Sequence, residues 1–375
     1  MSICIAGAGW VTPLGSGIDL VWNRLLASET AQPDEITEPI AKKSFPVYRV
    51  PPDALKGLPP HPRLRRASAI SRFAAAAGLA ACESAKLTLE GRSVDRLALI
   101  FAVANGGVIY TKRFYSDIVN TGADAASPLL FPETVFNAAA SHLAAIMNLT
   151  GTTYTLVGDG AIGVNALKMA EDIMADDQLD HCLVVAAEEA DWLLCDAYQK
   201  WRLLRSAPPL ELFSPTRKGT ILSEGAGAVL LSRSGHFRIE ATAVDTFANR
   251  KEAPATLARI IRQVGPRPNT VVIGSANGTF IDGAEQSVVD QVLPEAVVYC
   301  PKASLGEGVA ASGLWQIIAA MQALATQQLP PPQYANGKPS RSQADPLKLE
   351  DCTEVTVLSC GLNHQAAAIR IVLNR

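Results

Sequence analysis

Residues 153–166 read TYTLVGDGAIGVNA. Thr153 to Val157 alternate in character and are rich in β-forming residues, so they predict a strand. Gly158 and Gly160 bracket Asp159 and mark a sharp turn, where glycine at 160 relieves backbone strain. From Gly163 to Met174 the spacing predicts a helix. An aspartate ahead of a helix is ordinarily an N-cap, which gives Asp159 a structural reading beside a catalytic one.

The same rhythm extends outward on both sides. Short apolar runs at 3–8, 97–104, 182–187, 225–232 and 237–244 predict strands. Ala-rich stretches at 19–27, 65–85 and 138–147 predict helices. The second half repeats the alternation with helices at 255–264, 283–292 and 312–325 and strands at 270–275, 296–300, 355–359 and 367–373. This is an α/β pattern with a largely parallel or mixed sheet. Two proline-bearing insertions, 32–62 and 203–218, are expected to cap the body rather than join its sheet. The seam falls near 234–237, giving an N-terminal half at 1–235 and a C-terminal half at 236–375.

Composition narrows the function classes. Of 375 residues, 48% are hydrophobic and 18% charged, enough for a sizeable core and against disorder. A net charge of −3 offers no basic excess for nucleic acid or an anionic membrane. No apolar run reaches the roughly 18–20 residues needed to cross a bilayer, and the opening lacks a signal-peptide pattern, so a cytoplasmic protein is expected. The seven cysteines show neither metal spacing nor a disulfide framework. No metal and no cofactor is expected; Gly7-Ala8-Gly9 lacks the third glycine of a dinucleotide loop.

Five segments, in order, resemble the β-ketoacyl-ACP synthases: IAGAGWVTPLGSGIDLVWNRLLA (5–27), RRASAISRFAAAAGLAA (65–81), FPETVFNAAASHLAAIMNLTG (131–151), LFSPTRKGTILSEGAGAVLL (212–231) and PKASLGEGVAASGLWQIIAAMQALATQQLPP (301–331). The resemblance implies a thiolase-like five-layer αβαβα fold with two related halves, and dimers formed by pairing the strand at 152–157 across a two-fold axis. It also implies catalysis by a cysteine and two histidines, supported by a lysine. The cysteine takes an acyl chain as a thioester, and the histidines assist decarboxylative condensation.

The chain departs from that set at each position. Gly160 stands where the family keeps its cysteine, in Gly160-Ala161-Ile162-Gly163-Val164-Asn165-Ala166. Asn277, in Asn277-Gly278-Thr279, replaces the first histidine. Glu307 replaces the second, while Lys302 is retained. Asp282 and Glu285 match a downstream Asp-x-x-Glu. None of the five histidines (61, 142, 181, 236, 364) follows the expected loops. Lys302 and Glu307 are therefore expected to form a buried ion pair. Relocated chemistry would fall to Cys360, His364 or Asp159, although Cys360 reads first as a small buried residue at a strand end. Thr134, Val135 and Phe136 match the segment that reaches a partner's acyl tunnel across the dimer interface. Arg63, Arg65, Arg66 and Arg72 could attract an acidic carrier protein or be merely solvated.

With its three catalytic side chains replaced, the chain resembles the chain-length factors of type II polyketide systems and the partner subunits of aryl-polyene pathways. The resemblance implies a non-catalytic subunit that pairs with an active ketosynthase and meets acyl carrier protein through that complex. The alternatives are an acyltransferase with relocated residues, or a homodimeric acyl-binding protein.

Overall fold

The helix Ala310–Thr326 is apolar on nearly every face and buried along almost its whole length. Such a helix must be covered on all sides. Two adjacent side chains show how this is done. Trp315 Nε1 donates to the carbonyl of Ala226 at 2.9 Å, in one sheet. Gln316 Nε2 donates to the carbonyls of Gly274 and Leu358 at 2.6 and 2.8 Å, on the other. The computed structural model, which describes residues 2–216, 218–335, 337–339 and 345–374, places this helix in the middle layer of five.

Each sheet repeats one strand pattern. The first runs Ile3–Thr12, Gly225–Ser232, His181–Glu188, Leu97–Val103, Thr153–Val157, and its successive pairings are antiparallel, antiparallel, parallel and parallel. The second runs Phe237–Thr246, Gln365–Leu373, Glu354–Cys360, Val271–Ile273, Val297–Tyr299 with the same succession. The two join where Ile3–Ile5 pairs with Phe237–Ile239. Helices Ile162–Ile173 and Ala310–Thr326 pack between the sheets. Ala69–Ser84 and Ala138–Ile146 cover the first sheet, and Ala253–Val264 and Phe280–Val292 cover the second. This is the thiolase-like αβαβα fold with two related halves.

Small residues set the spacing of the first outer layer. Gly7 and Gly9 lie inside the first strand, beneath the Ala-rich Ala69–Ser84 helix. A Cβ at either would fall 2.3 Å from Ala81 O or 2.4 Å from Ala77 O. The glycines admit a helix rather than a nucleotide.

Several boundaries differ from expectation. The helix expected from 65 starts at Ala69, because the Ser68 hydroxyl accepts the Ser71 amide at 3.3 Å and caps it there. The 32–62 insertion lies off the main sheet as expected, but it is partly strand. Pro33–Thr37 pairs with Ser44–Tyr48, which in turn pairs with Leu222–Ser223. Within the 203–218 insertion, Arg217 lies outside the described residues. Helices Val108–Thr121 and Trp192–Lys200 were not expected. Val108–Thr121 is rich in β-branched and aromatic residues, which favour helix weakly and leave the period ambiguous. Among the described residues no helix is long and apolar enough to cross a membrane.

Candidate functional site

The repeat in topology brings two connections together. In each half the outermost of the five strands feeds a central helix: Thr153–Val157 leads to Ile162–Ile173, and Val297–Tyr299 leads to Ala310–Thr326. The connections meet at Gly160. A Cβ built there would lie 3.5 Å from Gly361 Cα, 3.6 Å from Cys360 O and 4.0 Å from Val309 O. These are ordinary contacts, and Gly160 is not among the residues with positive φ. The turn therefore does not require glycine to relieve strain, which corrects the structural reading of this position. The backbone has room for a side chain, and the sequence supplies none.

Asp159 is also not the helix cap it was expected to be. The helix begins at Ile162 with no side-chain cap bond. The carboxylate turns instead toward the loop after the Glu354–Cys360 strand. It accepts the amides of Asn363 and His364 at 3.0 and 3.1 Å and reaches Ala161 N only at 3.4 Å. In return the Asp159 amide donates to Gln365 Oε1 at 2.9 Å.

The other three positions converge. Asn277, Lys302 and Glu307 are almost completely buried. Glu307 Oε2 accepts Lys302 Nζ at 2.7 Å and Asn277 Nδ2 at 2.7 Å. Its Oε1 accepts the Val309 amide at 2.9 Å and the Ser312 hydroxyl at 3.0 Å. One carboxylate thus gathers four donors, the geometry in which a buried ion pair recovers its desolvation cost. Asn277 is fixed from behind. Asp282 accepts the amides of Asn277, Gly278 and Phe213 at 2.8, 2.9 and 2.7 Å. Glu285 accepts the Ser275 hydroxyl at 2.9 Å and the Ala276 amide at 2.8 Å. Burial pushes Glu285 up to about 7 against the pull of those donors. The cluster closes on itself: both carboxylate oxygens of Glu307 are engaged by protein donors.

The residues considered for relocated chemistry are not assembled. Cys360 ends its strand fully buried, and burial raises its thiol well above the ordinary value, the opposite of what a nucleophile needs. The hydrogen-bond partner of its sulfur among the described residues is Gly361 O, at 3.7 Å. Cys360 is the last, buried residue of its strand, and the loop begins one residue later. His364 is exposed, and its backbone is held by Asp159 and by Phe247 N. Cys182 and Cys300 lie buried on or beside strands, with thiols raised by burial.

Thr134, Val135 and Phe136 lie far more open. Thr134 Oγ1 donates to Phe131 O at 2.7 Å. Val135 and Phe136 are 42% and 49% exposed, and the Phe136 ring lies against Gly106. Thr153–Val157 is a sheet edge with Leu97–Val103 as its single partner among the described residues, and it leaves Tyr154 and Val157 exposed. An uncharged, half-exposed edge of this kind ordinarily pairs with another strand.

A cleft of about 440 Å³ opens beside the Gly160 turn, walled by Asn105, Tyr198, Trp201, Arg250, Val309 and Leu362 among others. Burial, and then the charges of Glu307, Glu188 and Asp159, raise the Tyr198 phenol so that its hydroxyl stays protonated. Val309 holds φ 45° and ψ −108°, a strained conformation for a β-branched residue. Its amide is pinned by Glu307. Sequence reasoning missed Tyr198, Val309 and Ser312; for the last two the available signal was their place two and five residues after Glu307.

Two five-stranded halves whose strand ends converge on a turn, a lysine and a buried polar cluster define a thiolase-fold condensing-enzyme scaffold. The family model for the N-terminal domain of β-ketoacyl synthases matches residues 1–236, and that for the C-terminal domain matches residues 231–335; the chain belongs to the β-ketoacyl synthase family. Among characterised relatives, Nodulation protein E of Rhizobium leguminosarum bv. trifolii is 25% identical over 241 residues, covering 62% of this chain and 58% of that protein. The matched stretch therefore spans less than two thirds of that relative. The 3-oxoacyl-[acyl-carrier-protein] synthase 2 of Vibrio cholerae serotype O1 is 21% identical over 365 residues, covering 88% and 87%. Among solved structures, the ishigamide ketosynthase/chain length factor superposes with a TM-score of 0.86 at 16% identity, covering 100% of this chain and 99% of that one. The ketosynthase ApeO in complex with its chain length factor ApeC, from Xenorhabdus doucetiae, gives 0.84 at 17%, covering 100% and 98%. At such identities these likenesses establish the fold alone.

Proposed function

We propose that this chain is a non-catalytic ketosynthase-like subunit of the chain-length-factor type. It pairs with an active ketosynthase in polyketide, aryl-polyene or fatty-acid-type elongation and meets acyl carrier protein through that complex. One observation carries the reading: Gly160 presents no nucleophile, and Asn277, Lys302 and Glu307 are spent on one another. Condensation needs an acyl acceptor at 160 and donors free to stabilise the enolate. The ketosynthase/chain length factor pairs among the structural relatives support the same assignment. In it, the partner covers the Thr153–Val157 edge, Phe136 shapes the end of the partner's tunnel, and the halves meet at 235/236.

The test is to give the nucleophile back. Gly160→Cys has room to fold, and the account expects no condensation of acyl and malonyl thioesters by the purified variant. Turnover by that single variant would overturn it. A homodimeric acyl-binding protein is the second reading. It is favoured by the absence of charge in Thr153–Val157, which places no like-charge barrier against self-pairing.

A further inference from the structure

The loop that follows the Glu354–Cys360 strand forms the roof of the Gly160 turn, and the contacts that hold it are concentrated on one residue. We propose that Asp159 is a latch that keeps this roof, residues 361–365, closed over Gly160.

Three independent features of the chain meet there. First, the Asp159 carboxylate accepts the amides of Asn363 and His364 at 3.0 and 3.1 Å, with the Gln365 amide at 3.5 Å. Successive amides turned onto one carboxylate form an anion-binding concavity. Second, the contact is reciprocal, because Gln365 Oε1 accepts the Asp159 amide at 2.9 Å. Third, position 361 is the residue that lets the carboxylate sit where it does. A Cβ at Gly361 would lie 2.0 Å from Asp159 Oδ1, on top of the carboxylate itself.

The latch acts directly on access. Gly361 Cα and Cys360 O are the atoms nearest to a side chain built at Gly160. Leu362 and Asn363 wall the cleft beside it, together with Val309. The roof and the turn are therefore one closed unit. Lifting the roof off Gly160 requires the amides of 363 and 364 to leave Asp159 for water. This inference stands on the geometry of the turn and the loop, whether or not the chain catalyses condensation.

The experiment places a reporter under the roof. Gly160→Cys introduces a thiol at the turn, and its alkylation by iodoacetamide is followed by peptide mass spectrometry. The rate is compared with that of Gly160→Cys/Asp159→Ala and of Gly160→Cys/Gly361→Ala. The second double variant leaves Asp159 in place and displaces its carboxylate from outside. Loss of two charge-assisted hydrogen bonds shifts a local opening equilibrium by at least about tenfold, so both double variants are expected to label at least about tenfold faster. Amide hydrogen exchange at 363 and 364 in Asp159→Ala, without the reporter, should accelerate by a similar factor. Equal labelling rates in all three proteins, each shown folded by an unchanged circular dichroism spectrum, would overturn the latch. So would unchanged exchange at 363 and 364 in Asp159→Ala.

Discussion

Breaking the Lys302–Glu307 pair should destabilise the protein by a predictable amount. In Glu307→Gln the lysine ammonium, 1% exposed, loses its charged partner at 2.7 Å. In Lys302→Met the carboxylate keeps three neutral donors but loses its counter-charge. Removing one member of a buried pair typically costs about 3–5 kcal/mol, most of it the penalty of an uncompensated charge. Unfolding entropy scales to about 0.8 kcal/mol/K for 375 residues, so about 4 kcal/mol lowers Tm by roughly 5 °C. Calorimetry on the two single variants and on Lys302→Met/Glu307→Leu gives the cycle. The double variant should melt closer to the parent than either single, because an apolar pair leaves no stranded charge. Single variants melting within about 1 °C of the parent would refute the reasoning, since no stranded charge would then have been created.

Three further outcomes are expected. Burial holds Glu188 up to about 8 and Glu285 up to about 7, above their unfolded value of about 4.3. The native state therefore binds the extra protons, and stability falls as pH rises through that window. Urea midpoints should be lower at about pH 8.5 than at about pH 5, and Glu188→Gln should remove part of the difference; a rising midpoint contradicts the burial argument. Val157, half exposed at the sheet edge, becomes a charged edge residue in Val157→Lys. Size-exclusion chromatography of the chain co-expressed with its ketosynthase should then show the 1:1 pair lost, and an intact pair excludes this edge as the interface. Cys360 should resist an acyl-thioester or alkylating probe in the native protein, and mapped labelling at Cys360 would revive relocated chemistry.

The fold was legible where local pattern and tertiary demand agree. Thr153–Val157 and Gly225–Ser232 have the bounds the sequence predicts, because one is a short β-rich run ended by Gly158 and the other a short uncharged run ended by Arg233-Ser234-Gly235. Val108–Thr121 was not legible. None of its described side chains is fully buried, and its many β-branched and aromatic residues leave the period ambiguous. At the site, the order of motifs was enough to anticipate a Lys302–Glu307 contact. It could not show that Asn277 donates to the same carboxylate, since that contact depends on how two loops fold together, nor that the Val309 amide and Ser312 hydroxyl turn back onto Glu307 from two and five residues on. Two local rules misled. Glycine at a turn suggested strain at 160, where the backbone is ordinary. Aspartate ahead of a helix suggested a cap at 159, where a distant loop had the stronger claim on the carboxylate.

The central claim is that this chain works as the inactive half of a pair. Native mass spectrometry of the chain co-expressed with the ketosynthase encoded nearest to it tests that most directly. The account predicts a dominant 1:1 heterodimer. A homodimer that ignores the ketosynthase would contradict it.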